Sequence, residues 1–126
     1  MVALARVYGA GPLALSGIAS REDLSPAYLE QLMMQLRRAG LVAGSRGAHG
    51  GYTLVQEPSL VTVGQVVRAL EGPVALLECA SEMEDPHCCE KEKDCPSRVV
   101  WQKMKESITQ VLDSTTLADL CREEKA

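Results

Sequence analysis

The chain has 126 residues; 46% are apolar and four are aromatic, with no Phe. That length holds one compact domain and an attached helix or two, and a core of Leu, Val, Ala and Met suits helix on helix and argues against a β-sandwich. The net charge of −4 excludes nucleic acid as a partner only until it is divided: residues 1–72 carry six arginines against five carboxylates, whereas residues 73–126 carry seven bases against twelve acids.

Residues 1–9 read as a helix, with Val2, Ala3, Leu4 and Val7 as its apolar positions, broken by Gly9, Gly11 and Pro12. Leu15, Ile18 and Ala19 repeat at helical spacing and predict a short helix over about 15–22, followed by a corner at Asp23-Leu24. Ser25-Pro26 is a helix start: a hydroxyl N-cap, then Pro where its missing N–H costs nothing. Leu29, Leu32, Met33 and Leu36 make one apolar face, and Gly40 is the expected stop behind Arg37 and Arg38. Two helices around a short corner, the second well capped, outline a helix-turn-helix.

Leu41-Val42-Ala43 and Tyr52-Thr53-Leu54-Val55 read as two strands, joined by a glycine-rich tip over 44–51 with Arg46 and His49. A hairpin directly after a recognition helix is a wing, and Arg46 on it is suited to the negative potential of a minor groove. Residues 31–56 hold three arginines and a histidine with no acid, so a DNA face is allowed here and disfavoured beside the cysteines. Thr62 with Gln65 forms a capping box for a helix whose stripe is Val63, Val66, Val67 and Leu70, ended by Gly72-Pro73. After a polar, acidic segment, Pro96 opens a long helix with the stripe Val100, Met104, Ile108 and Val111, joined by Trp101 and Leu112. Such a stripe outside a small core needs a partner, and a second copy of the chain supplies one.

No run of eighteen apolar residues is present, and the opening MVALARVYGAGPLAL has no basic n-region of a secretion signal. The expectation is a cytoplasmic protein with no membrane association. In that compartment five cysteines are poor candidates for disulfides. Four of them fall within 79–95, a clustering that points to a metal, a cluster or redox chemistry. Soft thiolates on one polar segment suit iron and sulfide. Zinc prefers paired C-x2-C knuckles, absent here; a dithiol switch at Cys88-Cys89 and unligated thiols are the other readings.

The segment YLEQL…LRRAGLV…RG-x-x-GGY, followed by TVGQVVRALEG, C…C-x5-C…W and TLADL at 116–120, resembles the Rrf2 family of bacterial regulators over nearly the whole chain. The resemblance implies a dimeric, mostly α winged helix-turn-helix protein with a β-hairpin wing and a long C-terminal dimerisation helix, many members carrying a [2Fe–2S] or [4Fe–4S] cluster. It divides the chain into a DNA-binding domain (1–72), a cysteine-rich cluster segment (73–96) and a dimerisation helix with tail (97–126).

The resemblance further implies that Ser25, Ala27, Tyr28, Glu30 and Gln31 face the major groove, with Glu30 accepting from a cytosine amino group. It puts Arg46 in the minor groove and Trp101 and TLADL in the dimer region; Arg37, Arg38 and His49 are phosphate-facing candidates. It makes Cys79, Cys89 and Cys95 cluster ligands, with His87, Cys88, a loop carboxylate or a side chain of the partner's N-terminus as the fourth. Three departures stand out. The first helix starts further upstream in family members, so its beginning is expected to be missing. The gap between Cys79 and Cys89 is longer than usual, and Arg98 stands where one branch has a ligating histidine.

Blander readings accompany these roles. Arg37 and Arg38 also suit a solvated helix end, Tyr28 a packing role, Glu30 an internal salt bridge, and Cys121 a bystander thiol. The expected function is a regulator of a near-palindromic operator whose DNA affinity follows an iron–sulfur cluster sensing iron, redox state, nitric oxide or cluster supply. The alternatives are a cluster-free regulator controlled by a partner protein, and an iron–sulfur carrier that does not bind DNA. No nucleophile–base pair, paired carboxylates or phosphate cradle points to an enzyme.

Overall fold

The computed structural model describes residues 1–75 and 95–123. Its first helix, α1 (Val2–Arg6), stops short of the expected residue 9. The Tyr8 and Ala10 N–H groups donate to the carbonyls three residues back, which tightens the chain into turns. Helix α2 (Leu15–Arg21) ends at the expected corner, where Asp23 takes a left-handed φ of 52° and the Leu24 N–H reaches back to the Ala19 carbonyl at 2.9 Å. Asp is among the few side chains that tolerate this conformation.

Helix α3 (Pro26–Arg38) begins as its sequence dictates: the Tyr28 N–H donates to Ser25 Oγ at 3.2 Å. Leu29, Met33 and Leu36 are 5% exposed or less. Gly40, at φ 76°, lets the Leu41 N–H close on the Leu36 carbonyl and stops the helix. Leu41 is thus engaged at the helix end, and the hairpin runs as β1 (Val42–Ser45) and β2 (Gly51–Leu54) instead of 41–43 and 52–55. The strands pair antiparallel from Val42 opposite Leu54 to Ser45 opposite Gly51.

A third backbone segment joins this hairpin. Leu13 and Tyr52 exchange N–H···O bonds of 3.0 and 2.9 Å across the free side of β2. The approach is so close that a Cβ on Gly51 would fall on the Leu13 carbonyl, so this position requires glycine.

A 3₁₀ turn (Pro58–Leu60) leads to α4 (Val63–Glu71), whose capping box is complete: Gln65 N–H to Thr62 Oγ1 at 3.1 Å and Thr62 N–H to Gln65 Oε1 at 2.9 Å. The expected buried stripe is only half-buried. Val66, Ala69 and Leu70 pack on the core, and the enclosed position of α4 is Gly64, which faces the next helix. That helix, α5 (Arg98–Ser114), begins two residues after Pro96.

Helix α6 (Leu117–Glu123) then returns to α1 and the 3₁₀ turn. Thr116 caps it: the Asp119 N–H donates to Thr116 Oγ1 at 3.1 Å, and the Thr116 N–H donates to Asp119 Oδ2 at 2.9 Å. Leu4, Met33, Val61 and Leu117 are the most deeply buried large side chains. A single core therefore draws on both ends of the chain, each fully buried aliphatic side chain contributing about 1.5–3 kcal/mol of transfer free energy. The architecture is a winged helix-turn-helix with a C-terminal helix.

Candidate nucleic-acid interface and cysteine site

At 100° per residue, Ala27, Tyr28, Glu30, Gln31, Met34, Gln35 and Arg38 occupy the half of α3 opposite Leu29, Met33 and Leu36, and Arg37 stands on its flank. All eight are exposed. Tyr28 is 52% exposed and so is not tucked beneath the helix. Ser25 lies at the N-terminal end of this face; its oxygen accepts the capping bond, which leaves its O–H free to donate. Arg37 lies at the edge nearest the wing.

There, Arg37, Ser45, Arg46, Gly51 and Tyr52 line a cleft of about 190 Å³ between the helix and the hairpin. Arg46 and His49 stand exposed on the tip. Arg37, Arg38 and Arg46 pair with no carboxylate among the described residues. The face thus combines unneutralised guanidinium groups with amide and hydroxyl donors, a set able to hold phosphates and read base edges. Sequence reading missed Tyr52 and Ser45 in the cleft and the Leu13 bridge that steadies it. The available signal was Pro12, which has no N–H to give to a helix and so sets the stretch before α2 apart from helical backbone.

Of the cysteine ligands, Cys79 and Cys89 lie outside the described residues, as do His87 and Cys88. Cys95 is half-buried three residues ahead of α5, with its Sγ 3.0 Å from Ser97 Oγ. Among the described residues no three His, Cys, Asp or Glu side chains converge to hold a metal. Cys121 is half-buried and packs on the core, the role of a small apolar side chain.

On α5 no residue is buried, and Val100, Met104 and Val111 are 56%, 43% and 64% exposed. Trp101, Ile108 and Leu112 are half-buried. No helix among the described residues is long and apolar enough to cross a membrane.

The family model described as Rrf2, iron-dependent transcriptional regulator, matches residues 1–123. The HTH-type transcriptional regulator CymR of Bacillus subtilis is 43% identical over 120 residues, 95% of this chain and 80% of that protein. The solved structure of CymR, the global cysteine regulator of B. subtilis, superposes with a TM-score of 0.78, covering 97% of this chain and 87% of that one. The structure of T. potens IscR, 41% identical, superposes at 0.76 over 98% of this chain and 78% of its own. With the reading face, the wing and the C-terminal helix in place, the chain belongs to the Rrf2 family of DNA-binding transcription regulators.

Proposed function

We propose that two copies of this chain bind a near-palindromic operator, and that their affinity for it follows the state of Cys79, Cys89 and Cys95. The observation that carries the DNA half of this reading is the acid-poor face of α3 and the wing, whose three arginines pair with no carboxylate among the described residues. Ser25, Ala27, Tyr28, Glu30 and Gln31 enter the major groove, Arg37, Arg38 and His49 meet phosphates, and Arg46 enters the minor groove. Glu30 is repelled by phosphates, so its use is to accept from a cytosine amino group. Pairing along the exposed stripe of α5 sets the half-sites about one helical turn apart.

The donor set fits an iron–sulfur cluster. Its ligands are thiolates, and Cys95 lies three residues ahead of α5, with its carbonyl accepting from the Arg98 N–H. His87 or Cys88 completes the set. Bound there, a cluster supplies sensitivity to iron, oxygen, nitric oxide or cluster supply. The chain's own part is to supply these ligands, Cys95 among them just ahead of α5, the helix that joins the two reading heads in this proposal.

The test is the absorption spectrum of protein purified without oxygen, followed by promoter binding of the coloured and the metal-free forms. A visible band lost in Cys79→Ala, Cys89→Ala and Cys95→Ala, with a difference in DNA affinity between forms, supports this reading. Equal affinity of the two forms refutes the cluster-controlled half. A second reading, a cluster-free regulator controlled by a partner protein, is favoured by the 43% identity to CymR. Its mark is a colourless protein that still binds DNA.

A further inference from the structure

Helices α4 and α5 meet through an arrangement more specific than packing demands. A Cβ on Gly64 would fall on the Asp113 carboxylate and lie 2.7 Å from Arg68 Nη1. Into the notch left by that glycine, Arg68 and Asp113 close a two-pronged ion pair: Nη1 to Oδ1 at 2.6 Å and Nη2 to Oδ2 at 3.0 Å. Arg68 lies one turn beyond Gly64 on α4; Asp113 is the last residue but one of α5. Beside them the Val63 N–H donates to the Thr115 carbonyl at 2.8 Å and the Leu117 N–H to the Val61 carbonyl at 2.9 Å. The two helices are therefore fastened at the C-terminal end of α5.

Stability alone does not account for the pair. The side chains are 29% and 44% exposed, and ion pairs in contact with water contribute little on their own. A fork-on-carboxylate contact does give orientation, because two parallel bonds fix an angle that one bond leaves free. The lever it holds is long: α5 has 17 residues and spans roughly 25 Å. A tilt of about 10° at the fastened end moves the far end by roughly 4 Å, more than one base-pair step of about 3.4 Å.

We infer that Arg68 and Asp113, seated on Gly64, are positioning residues that set the angle at which α5 leaves the winged domain. That angle fixes the separation of the two recognition helices and hence the operator spacing the dimer accepts. The inference rests on the dimeric operator-binding reading above. Neither side chain touches DNA in it; both act through the direction of α5.

The full chain is tested on palindromic duplexes that the unaltered protein selects from a randomised library. These are resynthesised with the spacer one base pair longer or shorter, and as isolated half-sites. Asp113→Asn keeps the shape and removes the charge; Arg68→Lys keeps the charge and removes the fork. Both are expected to bind half-sites within about twofold of the unaltered chain while its preference for one spacing falls about fivefold or more. Unchanged spacing preference in Asp113→Asn overturns the inference, and so does an equal loss on half-site and full site, which would mark a merely structural role.

Small-angle X-ray scattering of the free dimer supplies a readout without DNA. The variants are expected to show a broader distribution of distances, and superimposable curves overturn the angle-setting role. If the unaltered protein selects no duplex, the operator reading fails while scattering still decides the role of the pair.

Discussion

Helices α3 and α5 are both amphipathic, yet the chain treats them differently. Helix α3 sinks Leu29, Met33 and Leu36 into the core and turns polar and basic side chains outward. Helix α5 buries nothing completely and leaves Val99, Val100, Met104 and Val111 more than two-fifths exposed. The first helix is satisfied within one chain, so its outer face is available to a polar, anionic partner. The second is left with apolar area still in water, which favours an apolar partner.

The largest effect that tests this contrast lies in the core. Leu117→Ala is expected to cost about 2–5 kcal/mol in urea denaturation, as Met33→Ala does, because both side chains are 2% exposed in one cluster. A cost below about 0.5 kcal/mol would make α6 an appended tail. Next comes α5: if two copies pair along it as proposed, Met104→Glu is expected to sediment as a monomer where the unaltered chain sediments as a dimer, with a thermal midpoint close to that of the unaltered chain. A persisting dimer would place the interface elsewhere.

On the α3 side, Arg46→Ala is expected to cost about 1–3 kcal/mol of operator binding, and Arg37→Ala to lower the slope of log affinity against log salt by about one. Unchanged titrations would show that the outer face is merely solvated. The smallest effect concerns α6. The Thr116 N–H, the Thr116 hydroxyl and Arg122 hold the Asp119 carboxyl below its ordinary value of 3.8. Its stabilisation is therefore fully present above that pH and fades as the pH falls through the lowered value. Asp119→Ala is expected to flatten the acid limb of the thermal-midpoint curve, and an unaltered limb would assign the acid sensitivity to other carboxylates.

What was legible in the sequence was local. Ser25-Pro26, Gly40 and the Thr62/Gln65 box act over three or four residues, and each marks an element boundary in the structure. The wing was legible because a hairpin is also a local pairing. What escaped was built across distance: Leu13 on Tyr52, Arg68 on Asp113, and Leu117 beneath the 3₁₀ turn. No propensity or period encodes which distant residue will meet which. The reading residues were legible as types at helical spacing, whereas the cleft formed by Arg37, Arg46 and Tyr52 required the hairpin to be placed against the helix. Of the three cysteines read as ligands, only Cys95 falls within the described residues.

The bridge between Leu13 and Tyr52 has a consequence for how such proteins diverge. It clamps β2 beside the tip of the hairpin, and a side chain at Gly50 or Gly51 would collide with backbone. Ala48 and His49, beyond that clamp, are exposed to solvent. Mutational tolerance is thus partitioned along a few consecutive residues: Gly47, at φ 105°, Gly50 and Gly51 are constrained, while Ala48 and His49 between them have room for other side chains. In the DNA-binding reading proposed above, substitutions at 48 and 49 alter what the wing presents while the hairpin keeps its fold.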